Sequence, residues 1–199
     1  MGRLISYCHI RDNKILKDGK DYYQHEGTLD DFLTGAYVQM NVAYPKFYKM
    51  DRLSKLGFLA SEIILGSSKN YSGDSTAVVL SNSSSSLDSD IHYWETVKTQ
   101  ASPSLFVYTL PNIMIGEICI RQGIKGENLF FVSPEFDAVE TCRYVDFLLD
   151  HGLADRCLAG WVEVTDSQAD VFLYLTEKSP GAISDHTAAK ILALYTWNH

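Results

Sequence analysis

The residue types that most often carry chemistry are spread thinly along this chain of 199 residues. Its four cysteines form no C-x-x-C pair, and most of their neighbours are apolar: Cys8, Cys119, Cys142 and Cys157. Such thiols are typical of buried positions in a reducing compartment. No group of His, Cys, Asp and Glu has the spacing of metal ligands, and no glycine-rich phosphate loop or G-x-S-x-G turn occurs. The sequence therefore predicts no metal site and no cofactor.

One turn is more informative, because it joins a predicted strand to a predicted helix. The strand is Leu129–Ser133, and Asp137 with Glu140 forms the capping-box pattern that begins a helix. Glu135 lies between them. The positive end of a helix dipole favours a carboxylate. The spacing therefore predicts that Glu135 lies in a tight turn near the N-terminus of the helix.

The elements around this turn follow from the spacing of apolar residues. The helix after Asp137 has a core-facing stripe that ends at His151-Gly152: Ala138, Cys142, Val145 and Leu149. Asp51 is predicted to cap a second helix, in which apolar residues recur every three or four positions from Leu53 to Ile63. Further elements are predicted as strands at Leu4–Ile10, Thr76–Ser81, Ser104–Thr109, Cys157–Val164 and Val171–Glu177, and as helices at Leu29–Met40, Ile113–Ile120 and Ser184–Trp197.

The alternation of helices and strands predicts an α/β sheet of parallel strands with one antiparallel edge. Ile113–Ile120 is apolar nearly all round, which predicts a helix buried between two layers, with Gly116 allowing another backbone to come close. The serine run Ser83–Ser86 is typical of a solvated loop. We expect one domain over residues 1–199, with an otherwise irregular N-terminal extension over residues 1–49 packed on it.

Charge and hydropathy exclude several classes of function. The net charge is −8 and the pI is about 5.1, whereas phosphate binding needs a basic stripe, so no nucleic-acid partner is expected. No run approaches the ~20 apolar residues that cross a bilayer, and charged residues interrupt the N-terminus. We therefore expect a cytoplasmic protein without membrane insertion or a signal peptide.

The stretch from Gly123 to Glu163 resembles the β-ketoacyl synthases without a gap. In that family a G-x-x-G-P turn is followed by a strand, a T-A-C nucleophile turn, a helix, a G-x-A-D motif and a strand that ends in A-G-G-x-E. Seven residues fall on the family's own: Gly126, Gly152, Ala154, Asp155, Ala159, Gly160 and Glu163. Trp161 replaces the second glycine of A-G-G.

Two upstream segments extend the resemblance. Ser102–Gly116 is similar to the S-P-x-L-F-x-x-S-x-x-N-x-x-x-G run of ketosynthase-like proteins from aryl-polyene and related bacterial pathways. Tyr44–Asp51 is similar to a segment of short ketosynthase-like proteins. Together the matched segments run from about Tyr44 to Lys178. The resemblance implies a thiolase-like half, with a five-stranded mixed sheet and helices on both faces.

The departures from the family pattern shape the expected function. Glu135 stands where the family has its cysteine nucleophile, and Cys142 lies about two turns further along the helix. The family's two catalytic histidines come from a second half, and this chain ends before such a half could begin. We therefore expect a truncated, non-catalytic protein of fatty-acid, polyene or polyketide-type biosynthesis. The resemblance places the ligand-binding residues at Glu135, Phe136 and Asn112.

The implied partners are an acyl carrier protein or a full-length ketosynthase. Ketosynthases dimerise through the strand region of this half, so a homodimer is expected first and a heterodimer second. Trp197, beside Tyr195, suits an interface anchor. Two alternatives remain open at this point. One is an acyl-thioester hydrolase or decarboxylase that uses Glu135 as a general base. The other is a structural orphan that keeps the fold alone.

Overall fold

The computed structural model describes residues 2–66, 71–165, 168–178 and 185–196. These residues form seven strands and seven α-helices, with 3-10 turns at Pro45–Lys49 and Gly73–Ser75. The strands are β1 Gly2–Arg11, β2 Lys14–Lys17, β3 Lys20–Gln24, β4 Thr76–Asn82, β5 Asn128–Val132, β6 Arg156–Thr165 and β7 Gln168–Lys178. The helices are α1 Leu29–Gln39, α2 Arg52–Leu65, α3 Leu87–Val97, α4 Pro103–Phe106, α5 Asn112–Gln122, α6 Ala138–Asp150 and α7 Ala188–Tyr195.

The described strands build one mixed sheet in the order β3-β2-β1-β7-β6-β4-β5. β4 pairs in parallel with β5 and β6, and the other neighbours are antiparallel. The α/β class is confirmed. The sheet has seven strands, so the prediction of five was wrong. Antiparallel pairing is also not confined to one edge, because every neighbouring pair from β6 to β3 is antiparallel.

Two hairpins at the N-terminus account for the additional strands. Asp12 and Asn13 both have positive φ, at 49° and 54°, as a two-residue hairpin turn requires. Asp18 and Gly19 repeat this geometry at 51° and 75°. β1 pairs with β7, so residues 2–24 form part of the sheet with their two hairpin turns. The prediction that residues 1–49 are mostly irregular was wrong, because β2 and β3, with four and five residues, are too short to show as apolar runs.

The central strands divide the core into two sides. Along β4, Val78 and Leu80 face the cluster formed with α1, α2 and α5, while Ala77 and Val79 face the cluster formed with α6 and α7. Helices therefore cover both faces of the sheet. Gly160 on β6 has φ +144°, and a Cβ there would lie 2.0 Å from the carbonyl oxygen of Phe172, so only glycine fits.

Predicted elements around the turn are confirmed within a few residues. Asp51 caps α2 and accepts the N–H of Ser54 at 2.9 Å. Asp137 caps α6, and Gly152 ends it with φ +69°. The last helix begins at Ala188 rather than Ser184, and Trp197 lies outside the described residues.

Two local predictions were wrong. Ser104–Thr109 is not extended, because Ser102 caps the short helix α4, with Pro103 at its first position. α5 is buried on one side only, since Ile120 is 68% exposed. The close helix approach is at Gly57 rather than Gly116: a Cβ on Gly57 would meet Met114, whereas nothing lies within 4 Å of one on Gly116.

Candidate functional site

The turn after β5 lies at the carboxyl edge of the parallel strands. The Ser133 N–H donates to the carbonyl of Asn82 at 3.0 Å, which ties the turn to the end of β4. The Ser133 hydroxyl donates to the carbonyl of Glu135 at 2.9 Å. These bonds fix the turn, and the Glu135 side chain extends from it into solvent. Phe136, the next residue, is buried.

The start of α6 is occupied by Asp137 rather than by Glu135. The Asp137 carboxylate accepts the N–H of Glu140 at 2.9 Å, as an N-cap does. Glu135 therefore lies in the turn near the helix, as predicted, but the position that benefits most from the helix dipole belongs to Asp137.

A buried aromatic cluster lies beneath this turn. The Phe136 ring lies 4.8 Å from that of Tyr195 on α7, 5.8 Å from Phe172 on β7 and 6.3 Å from Trp161 on β6. Trp161 is 4% exposed, and its indole N–H has no hydrogen-bond partner among the described residues. The indole therefore fills space within the aromatic cluster.

α7 closes this cluster from outside. The Tyr195 hydroxyl donates to Asp170 at 2.6 Å, and the Arg11 guanidinium lies 4.7 Å from the centre of the Tyr195 ring. Burial and the neighbouring Asp170 carboxylate raise the pKa of Tyr195. The carbonyl of Leu194 lies 3.1 Å from Nε2 of His9. α7 is thus held at its C-terminal end, directly over Phe136.

The serine run after β4 is ordered by a buried carboxylate. Oε2 of Glu163 accepts the N–H and the hydroxyl of Ser83, at 2.7 and 2.6 Å, and the N–H of Ser84 at 3.0 Å. Its Oε1 accepts the N–H of Val164 at 3.1 Å. Ser86 is buried. The prediction of a solvated loop holds for the exposed Ser83 side of the run and fails for Ser86.

Cys142 is a core cysteine, as predicted. Its Sγ lies 3.6 Å from Nε2 of His186, which also lies 3.1 Å from the hydroxyl of Tyr174. The other ring nitrogen of His186 lies 2.9 Å from Asp146. Burial raises the pKa of the Cys142 thiol to about 12. The four residues therefore fasten the segment before α7 to α6 and β7, and the thiol stays protonated at neutral pH. Sequence spacing gave no signal for the role of His186.

The three predicted ligand residues do not share one pocket. Phe136 packs in the cluster on the α6 side of the sheet, whereas α5, which begins at the exposed Asn112, packs on the opposite side. Glu135 is exposed at the edge between them.

Among the described residues, no group of three or more His, Cys, Asp or Glu side chains could hold a metal ion. No described helix is long and apolar enough to cross a membrane.

Comparison with known proteins supports the fold through structure. No protein-family model and no curated protein sequence matches the chain. The ishigamide ketosynthase/chain length factor matches with a TM-score of 0.67 and 15% identity, over 91% of this chain and 63% of that one. In the AntDE:AntF complex of a type II PKS acyl-carrier protein with its ketosynthase, the match has a TM-score of 0.61 and 13% identity, over 89% of this chain and 62% of that one.

A third match is the ketosynthase ApeO in complex with its chain length factor ApeC from Xenorhabdus doucetiae. Its TM-score is 0.55 at 10% identity, over 90% of this chain and 80% of that one. At sequence identities this low, the structural matches establish the fold alone. The chain has the thiolase-like fold of ketosynthases and chain length factors, and it spans just under two thirds of the first two structures.

Proposed function

We propose that this chain is a non-catalytic, ketosynthase-like subunit of acyl-chain biosynthesis that binds an acyl carrier protein or pairs with a ketosynthase-like chain. The turn after β5 carries the proposal. Glu135 stands at the position that the resemblance gives to the nucleophilic cysteine, and its side chain is exposed. Phe136 beside it is closed over by Tyr195. The turn presents neither a thiol nor an open apolar pocket.

The chemistry of condensation favours this reading. A ketosynthase holds its acyl chain on a thiolate, and a carboxylate is a poor nucleophile toward a thioester. Cys142 cannot substitute, because it is buried and its raised pKa, about 12, keeps the thiol protonated. Trp161 and Phe136 fill the space beside the turn.

The exposed state of Glu135 also bears on the hydrolase alternative. A general base that activates water at neutral pH is usually a desolvated carboxylate with a raised pKa. Glu135 is exposed to solvent rather than desolvated. Hydrolysis is therefore tested in the same experiment as condensation rather than proposed as a second function.

The unpaired edge of the sheet supports the expected pairing. β5 is an edge strand of sequence Asn-Leu-Phe-Phe-Val, and Val132 is 59% exposed. Beside it, α6 exposes Val139 and Phe147, at 67% and 47%. Exposed apolar edge strands readily pair with another strand. A second copy is the first expected partner at this edge, and a ketosynthase-like chain is the second.

Incubation with acyl and malonyl carrier proteins, followed by mass spectrometry, tests the catalytic part of the proposal. We expect no acyl adduct on the chain, no β-ketoacyl product and no thioester hydrolysis above the buffer rate. An adduct lost in Cys142→Ser, or hydrolysis lost in Glu135→Gln, would contradict it. Direct binding of the carrier protein, measured in parallel, separates a binding subunit from a structural orphan.

Val132→Lys tests the pairing edge. A charge at the exposed end of a pairing strand opposes association, so the variant should form smaller particles than the wild type in sedimentation velocity at micromolar concentration. Ile120→Lys is the matched control, because Ile120 is also largely exposed, at 68%, but lies on helix α5 and not on the edge strand. Equal particle mass for the wild type and Val132→Lys would rule out β5 as a pairing surface.

A further inference from the structure

α3 is amphipathic, but its apolar side faces solvent and a polar residue faces the protein interior. Its one fully buried residue is Ser89, whose hydroxyl donates to Asp51 at 2.5 Å. Its apolar stripe instead points outward: Leu87, Ile91 and Trp94 are 51%, 55% and 63% exposed. Positions three and four apart lie on one face of a helix. Leu87 and Ile91 line a groove beside Arg52 and Val164. The outer part of the stripe stays open among the described residues, although apolar stripes of surface helices normally face a core.

Neighbouring residues enlarge the stripe into a surface, which we call the α3 face: Leu87, Ile91, Trp94, Val97 and Phe106. Phe106 is 60% exposed, and its ring lies 5.3 Å from that of Tyr93 on α3. A whole aromatic side chain presents ~150–250 Å², so the two exposed aromatics and three aliphatic residues leave on the order of 500 Å² of apolar area open. A large exposed apolar area marks an interaction site.

This area fits one side of a protein interface. A standard interface buries ~800 Å² per partner, and about 60% of it is apolar. The apolar part of one partner's interface would then be ~500 Å², which matches the exposed apolar area of the α3 face.

We infer that the α3 face pairs with the α3 face of a second copy of this chain, in an antiparallel, two-fold arrangement. With Trp94 at the axis, Trp94 meets its counterpart and Ile91 meets Val97 of the second copy. Apolar residues thereby lie against apolar residues along the helix. The interface is isologous, since each contact occurs twice.

The charges on α3 favour this direction. The acidic residues Asp88 and Asp90 lie in the first turn, and Lys98 follows the last turn. In the antiparallel pair with Trp94 at the axis, Asp90 of one copy lies beside Lys98 of the other. Lys98 is 55% exposed and contacts Glu95 of its own helix at 2.6 Å, so its ammonium would be shared between Glu95 and Asp90 of the second copy. A parallel pair would instead place acid beside acid.

The inference is independent of the β5 edge, so its test uses chains in which that edge is blocked. Val132→Lys should still form two-copy particles in sedimentation velocity at micromolar concentration, because the α3 face remains. Adding Trp94→Lys should reduce the particle to one copy, with an unchanged circular dichroism spectrum. Ile120→Lys in place of Trp94→Lys is the control and should leave two copies.

A charge swap tests the direction of pairing. In the Val132→Lys background, Asp90→Lys should weaken association roughly tenfold, since two equivalent contacts of ~0.5–1 kcal/mol change sign or vanish. Asp90→Lys with Lys98→Asp should restore it.

Two outcomes overturn the inference. If Val132→Lys is already a single copy, or if Trp94→Lys leaves its particle mass unchanged, the α3 face does not join two copies. If the single-copy chain instead binds an added ketosynthase and loses that binding on Trp94→Lys, the occupant is a different protein. The β5 proposal fails separately, when the wild type and Val132→Lys have equal mass.

Discussion

Glu163 and Glu135 lie at the same edge of the sheet, at the end of β6 and in the turn after β5, but in opposite environments. Glu163 is buried and accepts four hydrogen bonds, which order the serine turn after β4. Glu135 is exposed, and its main chain alone takes part in the turn through the bond from Ser133. Two carboxylates at the same edge therefore differ: the Glu163 side chain orders a turn, whereas the Glu135 side chain is exposed.

This difference shows which side chains the fold depends on at this edge of the sheet. Around Glu163, the N–H groups of Ser83, Ser84 and Val164 donate to one side chain. Trp161, two residues earlier on the same strand, is buried. Around Glu135 the buried residue is Phe136, and the helix is capped by Asp137. The exposed side chain at 135 can thus change without changing the fold.

The largest effect should come from removing the indole at the end of β6. Trp161→Ala is expected to lower the free energy of unfolding by roughly 3–5 kcal/mol, because it leaves a cavity in the aromatic cluster. Urea unfolding measures this. Trp161→Phe should cost less, since it keeps a ring and removes an N–H without a partner. A loss under about 1 kcal/mol in Trp161→Ala would mean that the indole does not fill the core.

Removing the buried carboxylate should have the next largest effect. Glu163→Ala is expected to cost about 2–4 kcal/mol, because several N–H groups lose their acceptor in a part-buried turn. Glu163→Gln keeps one acceptor oxygen and should cost about half as much. Amide hydrogen exchange should show faster exchange at Ser84 and Val164 in the alanine variant. Unchanged exchange there would contradict the assignment.

The N-cap of α6 should have a smaller effect. Asp137→Ala is expected to cost ~1 kcal/mol, the usual loss when a capping side chain is removed. Asp137→Asn retains an acceptor and serves as the matched control. If Asp137→Ala were neutral while Glu135→Ala destabilised the protein, the roles of the two carboxylates in the turn would be reversed.

Glu135 should matter least for stability. Glu135→Ala is expected to change the free energy of unfolding by less than ~0.5 kcal/mol, as exposed substitutions usually do. Glu135→Cys should present a thiol that alkylates readily in the native protein, whereas Cys142 should react only after unfolding. A thiol at position 135 that resists alkylation in the native protein would show that this side chain is covered in solution.

Local signals in the sequence predicted much of this edge. The capping pattern of Asp137 and Glu140, the glycine at 152 and the apolar stripe of α6 depend on neighbours three or four residues apart, and all appear in the structure. The seven-stranded sheet was missed although Asp12-Asn13 and Asp18-Gly19 are hairpin signals, because β2 and β3 beside them are short. The helix at Pro103 was missed although Ser102-Pro103 is a common helix start.

The sequence alone determined the α/β class, the strand–turn–helix unit and the residue at the turn, because these depend on local periodicity and on an ungapped pattern. The tertiary structure decided which side chains are buried. It placed Phe136 under Tyr195 of α7, joined Cys142 to His186 across 44 residues, and gave Glu163 the donors of a turn 79 and 80 residues away. It also left the apolar side of α3 outward. Such contacts depend on how distant segments meet in space, which residue spacing along the chain does not encode.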